Sequence, residues 1–125
     1  MKVFQYRACS TCRKAVKWLD EHQVSYQAVP IVEAPPSVAE LQKVLELTGL
    51  EVKKLFNTSG EVYRADGYSE RLKTMSTAQA LAALATNGKL VKRPLVLDDT
   101  FAIVGFSEAQ YTKYLSSART SAKKR

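Results

Sequence analysis

Apolar positions along this chain recur with two different periods, and the switches between them divide it into elements. Val3-Phe4-Gln5-Tyr6 is a short strand-forming run. After it, Cys12, Ala15, Val16 and Leu19 fall at i, i+3, i+4 and i+7, the stripe of an amphipathic helix. Ser25 to Val32 alternates loosely, with Tyr26, Ala28 and Pro30 to one side, and predicts a second strand. Three later helices are announced by capping boxes, in which a serine and a Glu or Gln three residues on satisfy each other's backbone donors. Ser37-Val38-Ala39-Glu40 opens one carrying Leu41, Val44, Leu45 and Thr48, stopped at Gly49. Ser76-Thr77-Ala78-Gln79 opens another carrying Leu81, Leu84 and Ala85, stopped at Asn87-Gly88. Ser107-Glu108-Ala109-Gln110 opens the last, burying Tyr111, Tyr114 and Leu115. Between the first two, Glu51 to Lys73 lacks a clean period and predicts short helical turns around Asn57-Thr58-Ser59-Gly60.

Arg93-Pro94-Leu95-Val96-Leu97, a turn at Asp98-Asp99, and Phe101-Ala102-Ile103-Val104 read as a β-hairpin. The element order therefore predicts an α/β domain: a mixed four-stranded sheet flanked by helices, with a helical insertion. A strand running into Cys9-Ser10-Thr11-Cys12 at a helix start, followed by a second strand, is the β-α-β opening of a thioredoxin-like fold. The domain is expected to span 1–116, followed by a basic, disordered tail over 117–125.

Composition narrows the function classes. With 46% hydrophobic residues the 125-residue chain can build one core without covalent staples. No apolar run approaches the ~18 residues of a membrane span. Met1 to Arg7 has neither an h-region nor a small-residue cleavage site, so the expected compartment is the cytoplasm and no membrane partner is expected. A net charge of +7 invites a nucleic-acid reading. Four of those seven charges, however, lie at Arg119, Lys123, Lys124 and Arg125, in a Ser/Ala/Thr-rich ending. They read as a solvated tail, and direct nucleic-acid binding is not expected.

The two cysteines carry the candidate chemistry. They are too few and too close for a disulfide framework, because so small a loop hardly constrains an unfolded chain. A structural zinc needs about four ligands, and His22 is the only other good candidate, so no metal is expected. Redox chemistry is the remaining reading. A helix start offers unpaired N–H groups and partial positive charge to a thiolate. Cys9, just before the helix, should be the more exposed and acidic nucleophile, and Cys12, on the apolar stripe, the resolving thiol. Arg7, Arg13 and Lys14 add positive potential. His22 reads as a surface residue and Trp18 as core. Pro94, opening a strand where it cannot donate a ladder bond, is the candidate for the cis proline that thioredoxin-like sites place opposite the thiol. Arg93 would then face the cysteines as a thiolate or anion partner.

At this point a resemblance is visible over nearly the full length. It rests on Cys9-Ser10-Thr11-Cys12-Arg13-Lys14-Ala15, Pro35-Pro36-Ser37 with Glu40-Leu41, Lys54-Leu55-Phe56-Asn57-Thr58-Ser59-Gly60 with Tyr63-Arg64, Lys92-Arg93-Pro94-Leu95, and Val104-Gly105-Phe106. On these motifs the chain resembles the arsenate reductase and Spx superfamily. The resemblance implies a cysteine that attacks arsenate and three arginines that bind the oxyanion. Cys9 and Arg93 match that cysteine and one arginine; the other two arginines fall at Asn57 and Gly105, with Lys53 or Lys54 as point-charge substitutes. Where those enzymes have a serine, this chain has Cys12, which permits an internal disulfide. The expected site is thus Cys9, Cys12 and Arg93 for chemistry, with Arg13, Asn57 and Pro94 contacting substrate, and no cofactor. The implied partner is a thiol reductant, either glutathione with glutaredoxin or thioredoxin. The alternative is an Spx-type redox-sensing regulator, in which oxidation of the CxxC pair switches binding to the C-terminal domain of the RNA polymerase α subunit.

Overall fold

The two periods resolve into four strands and six helices in a computed structural model, which describes residues 1–123. The strands are β1 (Lys2–Gln5), β2 (Gln27–Pro30), β3 (Leu95–Leu97) and β4 (Ala102–Val104). The helices are α1 (Ser10–Glu21), α2 (Val38–Thr48), α3 (Glu61–Ala65), α4 (Tyr68–Arg71), α5 (Thr77–Thr86) and α6 (Glu108–Lys123). Single 3-10 turns at Val52–Leu55 and Gly88–Leu90 complete the insertion between β2 and β3. The backbone of α6 continues past residue 116 into the segment expected as a tail, whose last two residues lie outside the described ones. No helix among the described residues is long and apolar enough to cross a membrane.

Strand order is β2-β1-β3-β4. β1 runs parallel to β2 and antiparallel to β3, and β3 and β4 form the predicted hairpin, so the sheet is mixed as expected. Because side chains alternate across a strand, neighbouring residues feed opposite layers. Val3, Val96 and Ile103 join Ala15, Trp18, Leu19, Tyr111 and Leu115 on one face. Phe4, Leu95 and Leu97 join Leu41, Val44, Leu81 and Leu84 on the other. Two cores, one per face, clamp a single sheet.

The capping boxes of α2 and α5 form as expected: Ser37 and Ser76 each accept from the backbone N–H three residues on, and Glu40 and Gln79 reach back. Gly49 ends α2 in the left-handed conformation, φ +69°, which suits glycine. Gly88 serves a different need from the expected helix stop. It has no positive φ; instead a Cβ there would overlap the Ile31 carbonyl oxygen, so glycine permits a close backbone approach. Two side-chain placements also differ from the periodic reading. Val16 is only half-buried in α1, where Trp18 is core as expected, and Tyr114 is only half-buried in α6. Strand β2 lies at the sheet edge, which leaves Ala28 and Pro30 exposed.

Candidate active site

The loop between β1 and α1 delivers both cysteines. Cys9 is the N-cap of α1, with extended backbone (φ −85°, ψ 120°). A serine or aspartate oxygen usually accepts the free N–H groups at this position; here a sulfur does. The Cys12 backbone N–H donates to Cys9 Sγ at 3.4 Å, and the Tyr6 N–H donates to Cys12 Sγ at 3.4 Å. Both cysteines are free thiols, Cys9 half-buried and Cys12 fully buried on the stripe that packs α1 onto the sheet.

These surroundings separate the two sulfurs electrostatically. Partial burial works against the Cys9 thiolate. The Cys12 N–H, the Cys12 thiol and the Arg93 guanidinium outweigh it and hold Cys9 below the ordinary thiol pKa. Burial pushes Cys12 the other way, to about 12, helped by the hydrogen bond and charge of Cys9 and opposed by the Tyr6 N–H and Arg93. Tyr111, buried beneath, is also raised, first by burial and then by the charge of Cys12, and its hydroxyl donates to the Gly105 carbonyl at 3.3 Å.

Cys9 opens into a cleft of about 510 Å³ lined also by Tyr6, Asn57, Ser59, Arg93 and Gly105. The Arg93–Pro94 peptide bond is cis, as the strand position of Pro94 led one to expect. Pro94 itself is buried behind the cleft wall, and its carbonyl accepts from the Gly105 N–H at 2.9 Å. Arg93 is held over the Tyr6 ring, 5.0 Å from its centroid, and its Nη1 donates to the Lys89 carbonyl at 3.4 Å.

Arg13 stands elsewhere. Its backbone N–H continues the helix from Cys9, but its side chain lines a separate groove with Arg7, Lys17, Asp20 and Tyr26. Lys53 and Lys54, the suggested charge substitutes, sit on the 3-10 turn and line no part of the Cys9 cleft. The cation beside Gly105 is Lys92, whose signal in the sequence is only its adjacency to Arg93. His22 caps the far end of α1, with its ring stacked on Trp18 at 3.8 Å. Among the described residues, no group of three or more His, Cys, Asp or Glu side chains is placed to hold a metal.

Known proteins share this fold. The model of the ArsC family matches residues 4–114. The uncharacterised protein YusI of Bacillus subtilis is 46% identical over 108 residues, 86% of this chain and 92% of that protein. The global transcriptional regulator Spx of Streptococcus pyogenes is 28% identical, over 91% of this chain and 84% of its own length. Among solved structures, an ArsC family related protein from Bacteroides fragilis superposes with a TM-score of 0.86 at 50% identity, covering 90% of this chain and 94% of that one. An arsenate reductase from Vibrio cholerae does so with a TM-score of 0.74 at 25% identity, covering 93% and 97%. With its strand order, its CxxC loop and nearly its whole length accounted for, the chain belongs to the ArsC family.

Proposed function

We propose that this chain is a thiol–disulfide redox protein in which Cys9 attacks and Cys12 resolves. The observation that carries the reading is the inequality of two sulfurs one helical turn apart: Cys9 is lowered and open to the cleft, while Cys12 is raised and sealed. Cys9 Sγ⁻ attacks one sulfur of a disulfide, forms a mixed disulfide and expels the other sulfur as thiolate. Once Cys9 is bonded, the negative charge and hydrogen bond that help hold up the Cys12 pKa disappear. Cys12 can then lose its proton and attack Cys9 Sγ, releasing the second thiolate and closing the Cys9–Cys12 disulfide. A thiol reductant of the glutaredoxin or thioredoxin type would restore the dithiol. Arg93 stabilises the thiolate, and Asn57 and the backbone beside Pro94 contact substrate. Trapping mixed disulfides with Cys12→Ser and identifying the bound species by mass spectrometry tests this. If the variant traps nothing, Cys9 is not an exchange nucleophile.

The similarity to Spx supports a second reading, in which the same Cys9–Cys12 oxidation regulates binding to the C-terminal domain of the RNA polymerase α subunit. Measuring affinity for that domain with the pair reduced and oxidised separates the two. A redox-dependent change without turnover by thiol reductants favours the regulator.

A further inference from the structure

We propose that Lys92, with Arg93, makes the Cys9 cleft selective for small disulfides that carry a carboxylate. This rests on the exchange chemistry of Cys9 and names the substrate class it serves.

The charge census of the cleft is one-sided. Its ionisable lining beside the Cys9 thiol is Lys92, Arg93 and a tyrosine, with no aspartate or glutamate. Lys92 forms no ion pair among the described residues. Arg93 Nε is buried and has no hydrogen-bond partner among the described residues, a costly state for a cationic donor. Arg93 serves the Cys9 thiolate, and Lys92 stands beside it as a second cation with no carboxylate partner among the described residues.

The backbone of Lys92 and the side chain of Arg93 are held in place. The Lys92 N–H donates to the Leu55 carbonyl at 2.7 Å, anchoring the backbone from which the side chain springs. Its stem crosses Gly105: the atom nearest to where a Gly105 Cβ would stand is Lys92 Cε, at 3.4 Å. A Cβ there would make only ordinary van der Waals contact with the stem, so a side chain longer than a methyl at Gly105 is what would compete with Lys92 for the cleft. The other side-chain donors of the lining, Tyr6, Ser10, Thr11, Asn57 and Ser59, carry no positive charge, and the Ser59 hydroxyl donates to Asn57 Oδ1 at 3.3 Å.

This set matches a flat monoanion better than a tetrahedral dianion. One guanidinium offers a planar fork to a carboxylate, and one ammonium adds a point charge without imposing geometry. A volume of about 510 Å³ is that of a small-molecule site and exceeds what a bare oxyanion needs. The reaction is balanced by the substrate's own disulfide: the Cys9–Cys12 dithiol is oxidised, RS–SR is reduced to two thiolates, and two protons go to solvent.

The test compares second-order rates of the intact protein with three symmetrical disulfides: 5,5′-dithiobis(2-nitrobenzoate), an anion; 2,2′-dithiodipyridine, neutral; and cystamine, a cation. Thiolate fraction enters all three rates alike, so ratios report charge recognition alone. Lys92→Gln should lower the anionic-to-neutral ratio about fivefold at low salt, the worth of one solvated charge contact. It should raise the cationic-to-neutral ratio, and Lys92→Arg should restore the wild-type order. Added salt should compress the ratios. Ratios that Lys92→Gln leaves unmoved would overturn the proposal while leaving the exchange chemistry intact, since the neutral disulfide would still oxidise Cys9. Failure of every disulfide to react at Cys9 would overturn both.

Discussion

The backbone N–H of Cys12 donates to the sulfur of Cys9 at 3.4 Å, so one cysteine lowers the pKa of the other through its peptide group. The contact depends on Cys9 being the N-cap of α1, because an N-cap side chain receives the unpaired N–H groups of the first turn. The expected outcome is unequal alkylation. The Cys12→Ser variant, which retains only Cys9, should react readily with iodoacetamide near neutral pH. Cys9→Ser, which retains only the buried Cys12, should react slowly until strongly alkaline pH. A faster Cys9→Ser variant at neutral pH would reverse the roles.

Arg93 supplies the charge part of that activation. In Arg93→Ala, Cys9 should become less acidic and its alkylation rate at neutral pH should fall several-fold. Because a weaker acid is a somewhat better intrinsic nucleophile, the two rate profiles should converge, or cross, above the titration of the variant. A profile that does not move would leave the helix start as the sole activator.

Cys12 also gives the fold an alkaline limit. Its folded pKa, raised to about 12, lies above the 9.0 of a free thiol, so the neutral form is the one the fold prefers. That contribution is fully present below about pH 9 and is lost progressively as pH climbs toward about 12. Tyr111, raised by its burial, acts in the same direction. Urea midpoints should therefore fall between about pH 8.5 and 11 more steeply in the wild type than in Cys12→Ser. Parallel slopes would mean that Cys12 titrates alike in both states.

Gly105 adopts φ +82°, a conformation that side-chain-bearing residues rarely take. Gly105→Ala should cost about 1–2 kcal/mol of stability, read from chemical denaturation. Gly105→Arg should cost at least as much and push the Lys92 stem aside. An arsenate assay coupled through glutaredoxin should give a kcat/KM below ~10⁴ M⁻¹s⁻¹ for the wild type, because Asn57 and Gly105 occupy positions where the arginines of the resemblance fall. A higher value would show that Lys92 and Arg93 suffice for the oxyanion.

Capping boxes, the α1 stripe and the β3–β4 hairpin are legible along the chain because each is a local pattern with a local cause. Ser37 and Glu40 satisfy each other whatever the rest of the chain does. Gly88 looks like a helix stop in sequence because its real cause is remote, the Ile31 carbonyl that closes over it. Lys92 is silent in sequence for the same reason: its value depends on its stem passing over Gly105 into the cleft, which no spacing along the chain reveals. Arg13 looks closer to the site than it is, since the next position along a helix turns a side chain about 100° away, here into another groove.

Strand order has a kinetic side. β1 sits in the sheet interior and pairs with β3 from far along the chain, Lys2 with Leu97, a closure that loop entropy makes slow compared with forming α1. Arg93 stands just before β3, so it can reach Cys9 only after that closure. Until then only the start of α1 distinguishes the two thiols, and Cys9 lacks the part of its activation that Arg93 supplies. Alkylation of Cys9 during refolding would therefore report, at a single atom, the moment at which the first and third strands meet.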